Sequence, residues 1–344
     1  MRKASIAAVS SYLPERMLTN DQLAAEFPDW PAEKILEKTG IACRRVALDE
    51  ECASDLGVRA AQRLFESGAC RPEDIDFLLF CTQSPDYFLP ATACLIQDRL
   101  GLRTSCGAID FNQGCSGFVY GLSLAKSLIE SGVSDRVLLI TAETYSKFIN
   151  PRDRSVRTIF GDAAAATLVA AVESDDDLVG PFVFGTDGRG AENLIVTAGG
   201  LRKPLSLVTA EEREDKGGNW RSDENLYMNG PEIFNFTLNT VPAAAKALLS
   251  RAGYALDEVD HFVFHQANRF MLDRLRAKMS IPPEKFVIDM EDCGNTVSST
   301  IPIALERMMA SGHLCAGDRL MLIGFGVGYS WAGAMLRAGT AEAA

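Results

Sequence analysis

Several things are in short supply in this chain, and each shortage excludes something. Basic charge is one: 34 Lys and Arg stand against 46 Asp and Glu, a net charge of −12. That balance argues against a general nucleic-acid binder and leaves room only for local basic patches. Paired cysteine motifs are absent. The nine cysteines are odd in number and none forms a CxxC pair, which excludes a disulfide framework or a zinc site and reads as reduced, cytoplasmic thiol usage. No apolar run is long enough to span a membrane. The basic-then-apolar start, Met1–Ser10, is too short and too soon interrupted for a signal peptide and reads as a first strand. Histidine is scarce, with 3 residues, so each one asks for an account. What the chain does have is 47% hydrophobic and 23% charged residues over 344 positions. That is a soluble globular protein with ample core, in two domains or one large one.

The most informative stretch is CGAIDFNQGCSGFVYGLS, Cys106–Ser123. A short run, Ala108–Phe111, stops at Asn112-Gln113-Gly114. Cys115 follows, and after Ser116-Gly117 the larger residues take helical spacing. The pattern predicts strand, tight turn and helix, with Cys115 at the turn. A thiol there faces unpaired N–H groups and the positive end of a helix dipole, which favour the nucleophilic thiolate. Taken alone, the same residues fit a buried cysteine packed between strand and helix equally well.

Elsewhere apolar strands alternate with helices, which argues for α/β layering with sheets covered on both faces. The expected elements include a strand over 6–9, helices over 22–27, 31–38, 54–67 and 91–100, and strands over 76–81, 135–141 and 163–172. The pattern then repeats. EDIDFLLFC at Glu73–Cys81 aligns with DEVDHFVFH at Asp257–His265, and DRVLLI at 135 with DRLMLI at 318. The Cys115 turn corresponds to Cys293-Gly294-Asn295-Thr296. The chain therefore reads as two copies of one α/β unit, residues 1–173 and 174–344. Related halves facing each other across a pseudo-twofold would bring Cys115 towards Asn295, with His265 joining at a strand end, where α/β layers bind ligands. Between the halves, 198–224 carries Gly pairs and charge clusters and reads as an exposed excursion. The tail 338–344 reads as frayed.

His265 precedes Gln266-Ala267-Asn268, and Asn295 sits in GNTVSS. By themselves they fit a core histidine and a turn or N-cap asparagine; His313 reads as surface. Gly324, Gly326 and Gly328 lack the GxGxxG spacing of a dinucleotide turn. They are read instead as a loop of close backbone approach that offers N–H groups to an oxygen.

NQGCSGF, HQAN, GNTVSSTIPIAL and GFGVGYSW, in this order and spacing, resemble the motifs of the β-ketoacyl-acyl carrier protein synthase III family. These are the initiating condensing enzymes of type II fatty acid synthesis, in the thiolase-like superfamily. The similarity runs from about Ile6 to Arg337. It implies a five-layered αβαβα fold and a homodimer. It also implies Cys115 as nucleophile, His265 and Asn295 beside it, and an oxyanion hole from the N–H groups of Cys115 and Gly328. Acyl-coenzyme A and malonyl-acyl carrier protein are implied as substrates, with no cofactor or metal. Arg154 matches a family arginine that contacts coenzyme A, and Lys38 replaces another. The family's adenine-stacking tryptophan falls at Lys34. Its phenylalanine closing the acyl pocket across the dimer falls near Leu89, beside Phe88. Arg269, Arg274, Arg276 and Lys278 follow HQAN and offer local basic charge for acidic carrier protein, or simply form a solvated helix face.

Other readings share some of these features. A biosynthetic thiolase would need a second cysteine in the C-terminal glycine loop, and Gly324–Gly328 has none. A chalcone-synthase-like enzyme, a relative passing an unusual acyl group to another acceptor, and a cysteine thioester hydrolase would all use a similar triad. A non-catalytic scaffold would have no need of all three polar residues.

Overall fold

The computed structural model describes residues 1–339. Of the expected frayed tail, 340–344 lie outside them, while Ala338 is tied in by its N–H to Asp318 O at 2.8 Å.

In the first half, β1 (Arg2–Tyr12), β2 (Phe77–Cys81), β3 (Gly107–Phe111), β4 (Arg136–Glu143) and β5 (Ala163–Glu173) form a five-stranded sheet in the order β1-β5-β4-β2-β3. In the second half, β6 (Val179–Thr186), β7 (His261–Phe264), β8 (Arg319–Gly326) and β9 (Ser330–Arg337) form a four-stranded sheet in the order β6-β9-β8-β7. The senses repeat with the order. In each sheet the first two pairings are antiparallel and the next is parallel. A fifth strand beside β7 is reduced to an isolated parallel bridge, Phe262 with Phe286. The repeat legible in the sequence is thus a repeat of topology. The run FLLFC is continuously apolar because β2 pairs in parallel on both sides and is covered on both faces.

Helices fill the layers. α1 (Ala53–Glu66) and α2 (Thr92–Arg99) cover the outer face of the first sheet, while α4 (Gly230–Ala252) covers the second, with α5 (Arg269–Lys278) against it. Between the sheets lie α3 (Gly117–Glu130), which touches strands of both, and α6 (Thr300–Ala310). Phe118, Val119, Leu122, Ala125 and Ile129 of α3 meet Ile301, Ala304, Leu305 and Met308 of α6 in one buried cluster with both sheets. A helix apolar around much of its circumference belongs in such a central layer. The result is a five-layered αβαβα stack.

Boundaries shift where caps decide them. Thr19, with Gln22 returning the bond, caps a helix over Asn20–Glu26 rather than 22–27. The stretch 149–157 closes with a helical turn at Arg154–Arg157, capped by the Asp153 side chain. The excursion 198–224 contains a small hairpin, Arg213–Glu214 with Trp220–Arg221. No helix among the described residues is long and apolar enough to cross a membrane.

Candidate active site

Strand ends of the two sheets converge on one place. Cys115 lies between β3 and α3, His265 is the first residue after β7, and Asn295 lies in the turn before α6. All three line a single cavity of about 300 Å³, whose walls are apolar and include Phe160, Leu194, Met228, Ile233 and Phe234. They are buried at 5%, 2% and 4% exposure respectively. An apolar pocket with a few convergent polar groups is the usual form of a small-molecule site.

The glycine stretch explains how the sulfur fits. A Cβ at Gly326 would lie 2.7 Å from Cys115 Sγ, and one at Gly324 would lie 2.6 Å from Cys115 O. The second half therefore lays bare backbone against the nucleophile loop, and the Ser116 and Ser330 hydroxyls join there at 2.7 Å. The backbone N–H groups hydrogen-bonded to the sulfur are those of Cys115 and Val327. Gly326 is the residue in contact with the sulfur, so the next N–H along the chain is the one that reaches it.

Burial works against the thiolate that the helix terminus favours. Burial pushes the Cys115 thiol up to about 12, against the pull of those two N–H groups. A helix terminus contributes up to about 2 kcal/mol, and removing the charged form from water outweighs it here. His265 shifts the other way: burial lowers it to about 3, so the ring is neutral near pH 7. The site therefore holds a neutral thiol and a neutral imidazole. Phe325 meets the His265 ring edge-on at 5.5 Å.

Two side chains escaped the sequence reading. Glu143 ends β4 and is fully buried; its carboxylate accepts Ser298 Oγ at 2.9 Å, Gln83 N at 3.0 Å and Ser84 Oγ at 3.3 Å. Burial raises it to about 8, and its charge acts on Cys115. The repeat held a clue to it, since Glu143 occupies the position that Gly326 takes 183 residues later. The raised value has a consequence for stability. The folded state holds this proton more tightly than the unfolded chain, so stability falls as pH rises from about 4.5 towards 8. Glu143→Gln is expected to flatten that decline, at ~1.4 kcal/mol per pK unit removed, after an initial cost of about 1 kcal/mol for the altered Gln83 bond. Melting temperature measured against pH for both proteins checks it: parallel curves would place the Glu143 carboxyl in the ordinary range.

Trp30 is the other. Lys34 Nζ, Lys38 Nζ and Arg154 Cζ lie 4.9, 5.1 and 5.6 Å from its ring centroid. Trp30, Lys34 and Lys38 recur every four residues, a one-face helical spacing that was readable. Arg154 also donates to Gly217 O at 2.6 Å, and Arg221 pairs with Asp153 and Asp215 at 2.8 and 2.6 Å. The excursion is therefore folded onto the Arg154 segment.

The remaining expected residues divide. Arg269 packs over Gly40, and Arg274 lies 5.2 Å from the centroid of Phe270, which lines the cavity. Neither has a carboxylate within 4.0 Å among the described residues, whereas Arg276 faces Asp273 at 3.9 Å. Phe88 and Leu89 do not line the cavity of their own chain. They stand 81% and 82% exposed on the loop between β2 and α2. Among the described residues no cluster of three or more His, Cys, Asp or Glu is arranged to hold a metal.

Comparison with known proteins agrees with this architecture. Residues 109–188 match the family described as 3-oxoacyl-[acyl-carrier-protein] synthase III, and residues 249–338 match its C-terminal counterpart. A β-ketoacyl-[acyl-carrier-protein] synthase III of Halalkalibacterium halodurans is 41% identical over 97% of this chain and 96% of its own length. One from Streptomyces coelicolor is 38% identical, covering 98% of each. A crystal structure of a 3-oxoacyl-(acyl-carrier-protein) synthase III superposes with a TM-score of 0.97 at 58% identity, over 97% of this chain and 99% of that one. The Pseudomonas aeruginosa enzyme gives 0.84 at 32% identity over 98% and 99%. With near-complete coverage at such identity, the chain belongs to the β-ketoacyl-acyl carrier protein synthase III family of thiolase-like condensing enzymes.

Proposed function

We propose that this enzyme joins an acyl group from acyl-coenzyme A to malonyl-acyl carrier protein by decarboxylative condensation, through an acyl-Cys115 intermediate, as the initiating step of fatty acid synthesis. The observation that carries the reading is the convergence of Cys115, His265 and Asn295 from two halves on one apolar cavity. The acyl thioester carbonyl takes the place between the Cys115 and Val327 N–H groups, Cys115 Sγ attacks, and coenzyme A departs with the proton. The malonyl thioester then enters the emptied half of the cavity with its carbonyl oxygen towards Asn295 and His265. Loss of carbon dioxide places charge on that oxygen, and the new carbanion displaces Cys115 from the acyl carbonyl. Each turn consumes one proton, taken up by the sulfur.

Coenzyme A is expected along Trp30, Lys38 and Arg154, where an aromatic ring and cations without a carboxylate within 4.0 Å among the described residues suit an adenine and phosphates. The carrier protein is expected over Arg269 and Arg274 beside the cavity mouth. Arg274→Glu should weaken malonyl-acyl carrier protein binding, read as a KM raised about tenfold at low salt and converging with wild type at high salt. A salt-independent KM in both proteins would dismiss that surface. A homodimer is supported by two exposed features: among the described residues β3 has a partner strand on one side alone, and Phe88 and Leu89 offer apolar side chains for a partner's cavity. A monomer by sedimentation at micromolar concentration would end that part of the proposal.

The direct test is a panel of acyl-coenzyme A donors followed by mass analysis of the Cys115 peptide, then addition of malonyl-acyl carrier protein. A stable acyl mass on Cys115, converted to a β-ketoacyl product, is expected. Rapid release of free acid without carbon–carbon bond formation would instead make the protein a thioester hydrolase.

A further inference from the structure

The hairpin of the excursion, Arg213–Glu214 with Trp220–Arg221, is fastened to the stretch Asn150–Arg154 at its root and along its side. Arg221 Nε donates to the fully buried Asp153 carboxylate at 2.8 Å. Arg152 pairs with Glu212 and lies over the Trp220 ring, 4.4 Å from its centroid. Asp215 closes the tip. One of its carboxylate oxygens accepts the N–H groups of Gly217 at 2.7 Å and Asn219 at 3.0 Å, and the other accepts Arg221 Nη2 at 2.6 Å. A buried ion pair at the root and a carboxylate tying the turn give the hairpin one fixed shape.

What the tip touches is Arg154. Arg154 Nη2 donates to Gly217 O at 2.6 Å, while its guanidinium stands 5.6 Å from the centroid of Trp30. The five N–H groups of a guanidinium form a rigid fork, so one bond to a fixed carbonyl aims the others. Charge at this spot is unbalanced. Elsewhere on the excursion cations are neutralised: Lys203 pairs with Asp223 at 2.6 Å and Arg213 with Glu211 at 3.0 Å. Lys34, Lys38 and Arg154, gathered on Trp30, have no carboxylate within 4.0 Å among the described residues. Neither has Lys216, which is exposed and directly precedes Gly217. Like charges held together repel, at ~1 kcal/mol for a close pair in water. In a chain of net charge −12, a cluster left this way is one that an anion completes.

We propose that this hairpin is a second wall of the coenzyme A entrance: its tip aims Arg154 through the Gly217 carbonyl and adds Lys216 to the cations that meet the nucleotide phosphates, so that the first half-reaction selects a nucleotide-bearing donor over one carried on protein. The proposal rests on the condensing function proposed above and names the class of its acyl donor. Coenzyme A ends in an adenine and several phosphate groups, an aromatic face beside concentrated negative charge, which suits a ring set among cations. A thioester on carrier protein offers one phosphodiester, and a folded domain stands where the nucleotide would be. Asp215 is the positioning residue, acting through the shape of the tip; Lys216 is the residue that meets the ligand.

The test uses the full-length protein and adenosine 3′,5′-bisphosphate, the nucleotide end of coenzyme A, with binding read by calorimetry. Lys216→Glu is expected to weaken binding about tenfold at low salt, and Lys216→Arg to restore it. Asp215→Ala is expected to weaken binding about fivefold, the loss of roughly one hydrogen bond, as the tip loosens its hold on Arg154. Charge alone would act the other way, since this substitution removes an anion from beside the phosphates. Acylation of Cys115 should follow the same order with acetyl-coenzyme A and be unchanged with acetyl-pantetheine, which has no nucleotide. KM for malonyl-acyl carrier protein should stay within about twofold of wild type in Lys216→Glu. No bisphosphate binding to the wild type overturns the proposal, as does wild-type affinity in Lys216→Glu. An equal loss with acetyl-pantetheine or with malonyl-acyl carrier protein overturns it too. Should Asp215→Ala not fold, the two substitutions at the exposed Lys216 decide. Absence of a β-ketoacyl product would strike the proposed function, while bisphosphate binding would still report on the hairpin.

Discussion

Cys115→Ala is expected to reduce condensation by a factor of about 10⁴ or more, the scale on which covalent catalysts lose activity with their nucleophile. No other thiol can take over. Cys81 is the nearest relative of His265 in the repeat, but it is fully buried, its thiol is bonded to Gln113 O at 3.1 Å, and burial holds its proton firmly. The variant should still release some carbon dioxide from malonyl thioester, because Asn295 and His265 remain in place and the alanine leaves room. Paired assays check this: product formation from acyl-coenzyme A should vanish while decarboxylation persists. Condensation at more than a few per cent of wild type would mean that the acyl group travels by another route.

Asn295→Asp is expected to do the reverse. Asn295 Oδ1 is bonded to Val297 N–H and can stay so as a carboxylate oxygen. What changes is the group facing the cavity, where a hydrogen-bond donor becomes an anionic acceptor. The malonyl thioester oxygen gains negative charge as carbon dioxide leaves, so the substitution removes a stabilising donor and adds a repelling charge. Losing one such donor typically costs 10²–10³ in rate, and the charge adds to that, so decarboxylation should fall by about 10³ or more. Acylation of Cys115, which needs the Cys115 and Val327 N–H groups, should fall far less. Mass analysis of the Cys115 peptide and carbon dioxide release, measured on the same preparation, separate the two. Equal losses in both half-reactions would show that Asn295 serves the site as a whole rather than the extender oxygen.

Much of the architecture could be read directly from residue order. Strand and helix patterns are local, and a repeated acidic-apolar segment aligns two halves without any coordinates, so the pairing of Cys115 with Asn295 and of Cys81 with His265 was visible as a correspondence. The Cys115 turn was legible because Gly114 and Gly117 flank a cysteine where a strand pattern gives way to a helical one. Cap chemistry moved a helix start by two residues at Thr19 and opened a four-residue turn at Asp153, because a side-chain bond to an N–H decides where a helix begins and periodicity does not.

What residue order determined by itself, then, was the alternation of elements, their duplication, and the motifs NQGCSGF, HQAN and GNTVSS around three polar side chains. Tertiary structure alone decided the state and the neighbours of those side chains. Whether Cys115 rests as thiol or thiolate depends on how completely other segments exclude water from it, a sum over many contacts that no local spacing encodes. The same holds for Glu143 rising to about 8 behind the nucleophile, for the Val327 N–H meeting the sulfur, and for the cations gathered on Trp30. Each is a matter of angstroms between residues far apart in the chain, set by how the two sheets pack on α3 and α6, and desolvation and hydrogen-bond direction act only over that range.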